Sequence, residues 1–258
     1  MAATRFVGVR APFGVHARMH EMDLPLNRRR FLGLGLAAAG TLGAARLVRA
    51  ADEPGATPPR SAHTPEDALE RLRAGNARYV GGKTSPRDFT LDRQKLVGGQ
   101  APFAAVLACA DSRVVPEFAF DLGRGELFVV RVAGNFANDD GLASLEYAVA
   151  ALGVPLVFVL GHASCGAVKA AIADADGAER LPGKLPELIA ALAPAVRAAR
   201  GQSGDPLANA IRENVRLQVE HLRMADPVMT PRVADKRLAV TGGVYDLASG
   251  RVELIAGS

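Results

Sequence analysis

Four short apolar runs stand out after residue 100: FAAVLAC (103–109), LFVVRV (127–132), PLVFVLG (155–161) and RLAVTGGVYDL (237–247). Their length and their β-branched and aromatic residues predict buried strands. Between and after them, apolar positions recur every three or four residues in GLASLEYAVAAL (141–152), CGAVKAAIADA (165–175), LPELIAALAPAVRAA (185–199) and LANAIRENVRLQVEHLRMA (207–225), which predicts helices. Apolar strands alternating with helices predict an α/β fold, with about four parallel strands in a central sheet covered on both faces. YDLASGRVELI adds a hairpin turning at Ser249-Gly250, and so one antiparallel edge strand.

Upstream, Thr64-Pro65-Glu66-Asp67 reads as a helix start, with a capping threonine, proline in the first position and acids in the first turn. Ala68, Leu69, Leu72 and Tyr79 give this N-terminal arm an apolar face. A helix over 65–74 with so shallow a face suggests packing against another subunit. LDRQKLVGG predicts a second, weaker helix, and residues 64–258 read as one domain.

The first fifty residues have a different character. They hold eight arginines and two acids, a net +6 against +4 for the whole chain, which leaves −2 for residues 51–258. The sequence pI near 9.4 therefore belongs to the leader and does not support a nucleic-acid partner. Arg28-Arg29-Arg30-Phe31-Leu32 resembles a twin-arginine export signal; an apolar run to Ala45 follows, then Val48-Arg49-Ala50 as a small-x-small cleavage pattern. That run is short and weak for a membrane span, so an uncleaved membrane anchor is the lesser reading. Residues 1–50 are thus expected to be an export signal, with Met22 an alternative start, and 51–63 a flexible tether; the mature domain is expected in the periplasm. Gly33-Leu34-Gly35 imitates a dinucleotide-binding loop but lacks the preceding strand and the following acid.

Chemistry gathers at two strand ends, where open α/β sheets place their sites. Cys109-Ala-Asp111-Ser-Arg113 closes the first run, and His162-Ala-Ser-Cys165 closes the third; these are the only cysteines. A disulfide is one reading, but it needs neither a histidine three residues before one cysteine nor an aspartate two residues after the other. A thiol–histidine nucleophile pair would leave the second cysteine without a role. Two thiolates and an imidazole supply three ligands of a tetrahedral zinc site, with a carboxylate or water as the fourth. Residue types alone lead to a metal site with an arginine beside one potential ligand.

CADSRV followed by GHASCGAV resembles the two metal-binding signatures of the β-class carbonic anhydrases. ALERLRAGNARYV, QAPFAAVLACADSRVVPE, ELFVVRVAGNFAN and GGVYDLASGRVELI are similar to further family segments in family order, so the resemblance spans residues 65–256. It implies reversible, zinc-dependent hydration of CO2 to bicarbonate and a proton. It implies Zn2+ held by Cys109, His162 and Cys165, with Asp111 as fourth ligand in one state and paired with Arg113 in the other. It implies Gln100 as a hydrogen-bonding partner of substrate, Phe128 and Tyr147 as pocket residues across a dimer interface, and a homodimer or homotetramer. The chain has no tryptophan, and the family's bicarbonate-inhibited closed form uses one before the first signature, so the open form is expected. Carbon disulfide or carbonyl sulfide as substrate, and a non-catalytic zinc-stabilised module, are the competing readings.

Overall fold

The computed structural model describes residues 63–174 and 181–255. The export signal, Met22 and all of the tether except His63 lie outside the described residues. The elements run α1 (Pro65–Val80), α2 (Phe89–Lys95), β1 (Ala104–Ala108), α3 (Pro116–Ala119), β2 (Leu127–Arg131), α4 (Asp139–Ala150) and β3 (Leu156–His162). They continue with α5 (Gly166–Ala173), α6 (Leu185–Ala199), α7 (Pro206–Arg223), α8 (Met229–Ala234), β4 (Ala239–Tyr245) and β5 (Val252–Leu254). No described helix is long and apolar enough to cross a membrane.

The sheet order is β2-β1-β3-β4-β5, parallel through β4, with β5 antiparallel at the edge. Every residue of β1 and β3 is buried, which is why those runs are apolar without alternation. Their side chains still sort by parity. Ala104, Val106, Leu156, Phe158 and Leu160 face a core with Ala68, Leu72 and Phe120. Ala105, Leu107, Val157 and Val159 face Leu145, Val149, Val215 and Val219 from α4 and α7. A third cluster joins Cys109 and Cys165 to Val168, Ile189, Leu192 and Ile211, so α5, α6 and α7 wall the carboxyl ends of the strands.

Helix α1 begins as its sequence predicts: Thr64 Oγ1 accepts from Asp67 N at 3.1 Å and Asp67 Oδ2 accepts from Thr64 N at 3.3 Å, a reciprocal capping box. It runs six residues past the expected end. Gly75 and Asn76, just past the expected end, are buried. A side chain at Gly75 would collide with the backbone carbonyl of Phe120. Asn76 donates to the carbonyls of Ala119 and Gly250, both at 2.8 Å, and accepts from Val252 N at 2.9 Å. The apolar face expected to seek another subunit is thus used within the chain, with Ala68 and Leu72 in its own core. Helices α3 and α8 lack any sequence signal strong enough to announce four or six residues.

Removing the Asn76 amide leaves two buried carbonyls and one N–H unpaired. Asn76→Ala is expected to destabilise the fold by at least about 2 kcal/mol, the cost of orphaned buried polar groups, read as a lower urea midpoint with an unchanged slope.

Candidate metal centre

The parallel register sets the site. Ala108 pairs with Leu160, so Cys109 leaves β1 beside the residues with which β3 ends, Gly161 and His162. The chain then turns through Ser164, at φ +55°, and delivers Cys165 as the N-cap of α5. One ligand atom from each of Cys109, His162 and Cys165 lies within 4.8 Å of the others, and all three residues are buried. That spread is close to the ~4.6 Å that two metal–sulfur bonds can bridge. Both thiols are free, so the disulfide reading is not what the fold adopts.

The imidazole is poised as a ligand. Its Nδ1 lies 2.9 Å from the carbonyl of Ala163, which fixes the proton on Nδ1 and leaves the Nε2 lone pair available. Nε2 is buried and has no hydrogen-bond partner among the described residues. Such an atom is costly unless something occupies the space before it, and a metal satisfies it. The donor set, two sulfurs and one nitrogen, fits zinc.

The thiols are electrostatically prepared as a pair. A hydrogen bond from Cys165 pulls the Cys109 thiol down to about 4; burial opposes this, while His162 and the Gly134 N–H assist. The Cys165 thiol is pushed up by the Cys109 thiolate and by burial. Burial works to lower the His162 pKa, but the adjacent Cys109 thiolate outweighs it, and the net direction is upward.

Asp111 stands beside the cluster, Oδ2 3.9 Å from His162 Nε2, but its carboxylate is engaged elsewhere. Arg113 grips it with two parallel bonds, Nε to Oδ1 at 2.9 Å and Nη2 to Oδ2 at 2.7 Å, and its backbone N–H adds a third at 2.9 Å. The guanidinium bond holds the Asp111 carboxyl well below the usual carboxylate range. With the folded pKa depressed, the pair's contribution is present above the ordinary carboxyl range near 4 and is lost as pH falls below it.

The third strand end also contributes, and its residues are absent from the sequence reading. Arg131, closing β2, donates to the carbonyls of Cys109 (3.0 Å), Asp111 (2.7 Å) and Val114 (2.9 Å), so one guanidinium clamps the whole 109–114 loop. Gly134 N–H donates to Cys109 Sγ at 3.2 Å. The rule that sites form at carboxyl ends covers VRVAGN as well as the two cysteine loops, and that was the available signal.

The other expected site residues lie apart from the cluster within one chain. Gln100 is exposed in the segment leading into the amino end of β1. Phe128 is half-buried on the edge strand β2, with its ring centroid 6.3 Å from that of Tyr147 on α4, which is 53% exposed. Strand β2 ends the sheet order, with no further strand paired beyond it among the described residues.

Replacing one sulfur donor should abolish stable metal binding. Wild-type protein is expected to carry about one zinc per chain, the capacity of one closed ligand set, and Cys165→Ser to lose it on dialysis against a mild chelator. Full occupancy in Cys165→Ser, by elemental analysis, would remove that residue from the ligand set.

Comparison with known proteins agrees with this geometry. The family model described as "Carbonic anhydrase" matches residues 104–252, a span that contains the whole cluster. Carbonic anhydrase of Mycolicibacterium smegmatis is 38% identical over 191 residues, covering 74% of this chain and 93% of that protein. The Pseudomonas aeruginosa carbonic anhydrase is 39% identical over 174 residues, 64% of this chain and 78% of that one. Among solved structures, the β-carbonic anhydrase CcaA superposes with a TM-score of 0.57 at 28% identity, covering 73% of this chain and 95% of its own. A Coccomyxa β-carbonic anhydrase in complex with acetazolamide gives 0.56 at 28% identity, with 72% and 81% covered. Sequence, fold and ligand cluster together place this chain in the β-class carbonic anhydrase family, whose members are zinc enzymes.

Proposed function

We propose that the chain catalyses the reversible hydration of CO2 to bicarbonate and a proton, with zinc held by Cys109, His162 and Cys165. The observation that carries this reading is a buried imidazole whose Nε2 has no partner, set between two thiols and next to a carboxylate already claimed by an arginine. Zinc, when bound, supplies a hydroxide nucleophile near neutral pH and stabilises the developing negative charge.

The chain's own residues do the rest. Arg113 keeps Asp111 ionised and engages both of its carboxylate oxygens, so that Asp111 would not be free to ligate a metal held by the cluster. Asp111 Oδ2, 3.9 Å from His162 Nε2, would be placed to accept a hydrogen bond from a hydroxide at the site and so orient it. Two thiolates give a metal more charge than neutral imidazoles do, which works against acidifying water, and an ionised acceptor held in place offsets this.

Gln100, Phe128 and Tyr147 enter the site from a second copy in this reading. The position of β2 at the end of the sheet and the exposed Tyr147 ring support a homodimer or homotetramer in which those side chains line a small apolar pocket for CO2. The leader sequence supports export of the folded, metal-loaded protein to the periplasm.

Stopped-flow CO2 hydration, with hydrogen sulfide release from carbon disulfide measured in parallel, tests the assignment. Hydration proportional to zinc content with no sulfide release is expected; sulfide release without CO2 turnover would transfer the site to the alternative substrate. Arg113→Ala should retain zinc yet lose about 10- to 100-fold in hydration at pH 7, the usual scale for losing an orienting partner at a metal site. Wild-type turnover in that variant would contradict the gating role.

A further inference from the structure

Helix α7 crosses behind the loop that follows β2 and grips it at two points one helical turn apart. Asn214 is buried on α7 and its Nδ2 donates to the carbonyl of Gly134 at 2.8 Å. Gln218, four residues on and therefore on the same helix face, accepts from the backbone N–H of Ala137 at 3.0 Å through Oε1. The segment between these contacts is held in an unusual conformation. Gly134 sits at φ +85° and Asn135 at φ +44°. A Cβ at Gly134 would lie 2.8 Å from Cδ1 of Leu192 on α6, so both the backbone angle and the packing exclude a side chain there. Neither α7 residue touches the ligand cluster, yet the loop they hold does, because Gly134 N–H is the donor to Cys109 Sγ.

We propose that Asn214 and Gln218 form a positioning pair for the metal centre. By fixing the 134–137 turn from both ends, they aim the Gly134 N–H at the Cys109 sulfur and so set how strongly that thiolate donates to the metal. The N–H···S bond withdraws electron density from the sulfur and pre-orients it toward the cluster. Outer partners of this kind orient ligands and tune the metal they hold. An amide suits both positions chemically, since one must donate to a carbonyl and the other must accept from an N–H. In an otherwise apolar helix face containing Val215, Val219 and Leu222, these polar side chains have no other described partner for the atoms involved. The inference rests on the reading of Cys109 as a zinc ligand.

The test uses the full chain loaded with cobalt(II) in place of zinc, with Asn214→Leu, Gln218→Leu and Gln218→Glu compared to wild type. Two readings are taken: the energy of the sulfur-to-cobalt charge-transfer band, and the apparent zinc affinity from chelator competition. Both leucine variants should move the band to lower energy and weaken zinc binding by about 10- to 100-fold. Gln218→Glu, which keeps an acceptor for Ala137, should restore both. Should Asn214→Leu fail to fold, Gln218→Leu at its half-buried position is judged by the same two readings. A lower melting temperature with an unshifted band and wild-type zinc affinity would overturn the proposal, because packing alone predicts that pattern. A wild-type cobalt adduct with no sulfur band, or one indifferent to Cys109→Ser, would instead overturn the ligand assignment beneath it.

Discussion

The parallel register of β1 and β3 is the constraint on which the metal centre depends. It pairs Ala108 with Leu160 and thereby brings Cys109 next to the strand end that carries His162. Both strands are buried on both faces, so they carry no polar–apolar alternation that would by itself announce the register. The ladders that flank the pair, β1 to β2 and β3 to β4, continue just past the strand ends. Val132 N donates to Ala108 O at 3.1 Å, Ala110 N to Val132 O at 3.3 Å, and Ala163 N to Tyr245 O at 2.8 Å. Each ladder continues one step into the loop that holds a ligand, so fold and site share the same bonds.

Around that frame the site solves an electrostatic problem in layers. Two thiols and an imidazole, all buried, are unfavourable as a charged set, and the two thiols are shifted in opposite directions, Cys109 down and Cys165 up. The neighbouring carboxylate would be a natural fourth ligand, and Arg113 is what withholds it. Arg131 in turn fixes the backbone that carries both Cys109 and Asp111 through three carbonyls. Arginine suits both places because its planar fork meets several acceptors at once, which a lysine cannot do. Catalytic competence in this account is a matter of which group the Asp111 carboxylate faces.

The sequence made the architecture legible wherever period and length were unambiguous: β1 to β5 and helices α4 to α7 all lie within a few residues of their predicted spans. The Cys109–His162–Cys165 cluster was legible too, because both strand ends carry unusual residue pairs rather than one lone histidine or cysteine. Other parts were silent for physical reasons. Asn76 and Gly75 look like helix breakers until one knows that a carbonyl and a hairpin turn lie against them. Arg131, Gly134, Asn214 and Gln218 are ordinary residue types, 80 positions apart between Gly134 and Asn214, and only the fold brings them to Cys109. Gln100, Phe128 and Tyr147 were singled out by resemblance alone, and nothing in their burial or contacts within one chain marks them as site residues.

X-ray absorption at the zinc edge of the full-length, metal-loaded protein addresses the central claim most directly. The account predicts two sulfurs at about 2.3 Å and two lighter atoms at about 2.0–2.1 Å, with the two-sulfur shell unchanged in Asp111→Ala. A shell with fewer than two sulfurs would contradict the assignment of Cys109, His162 and Cys165 as the metal centre.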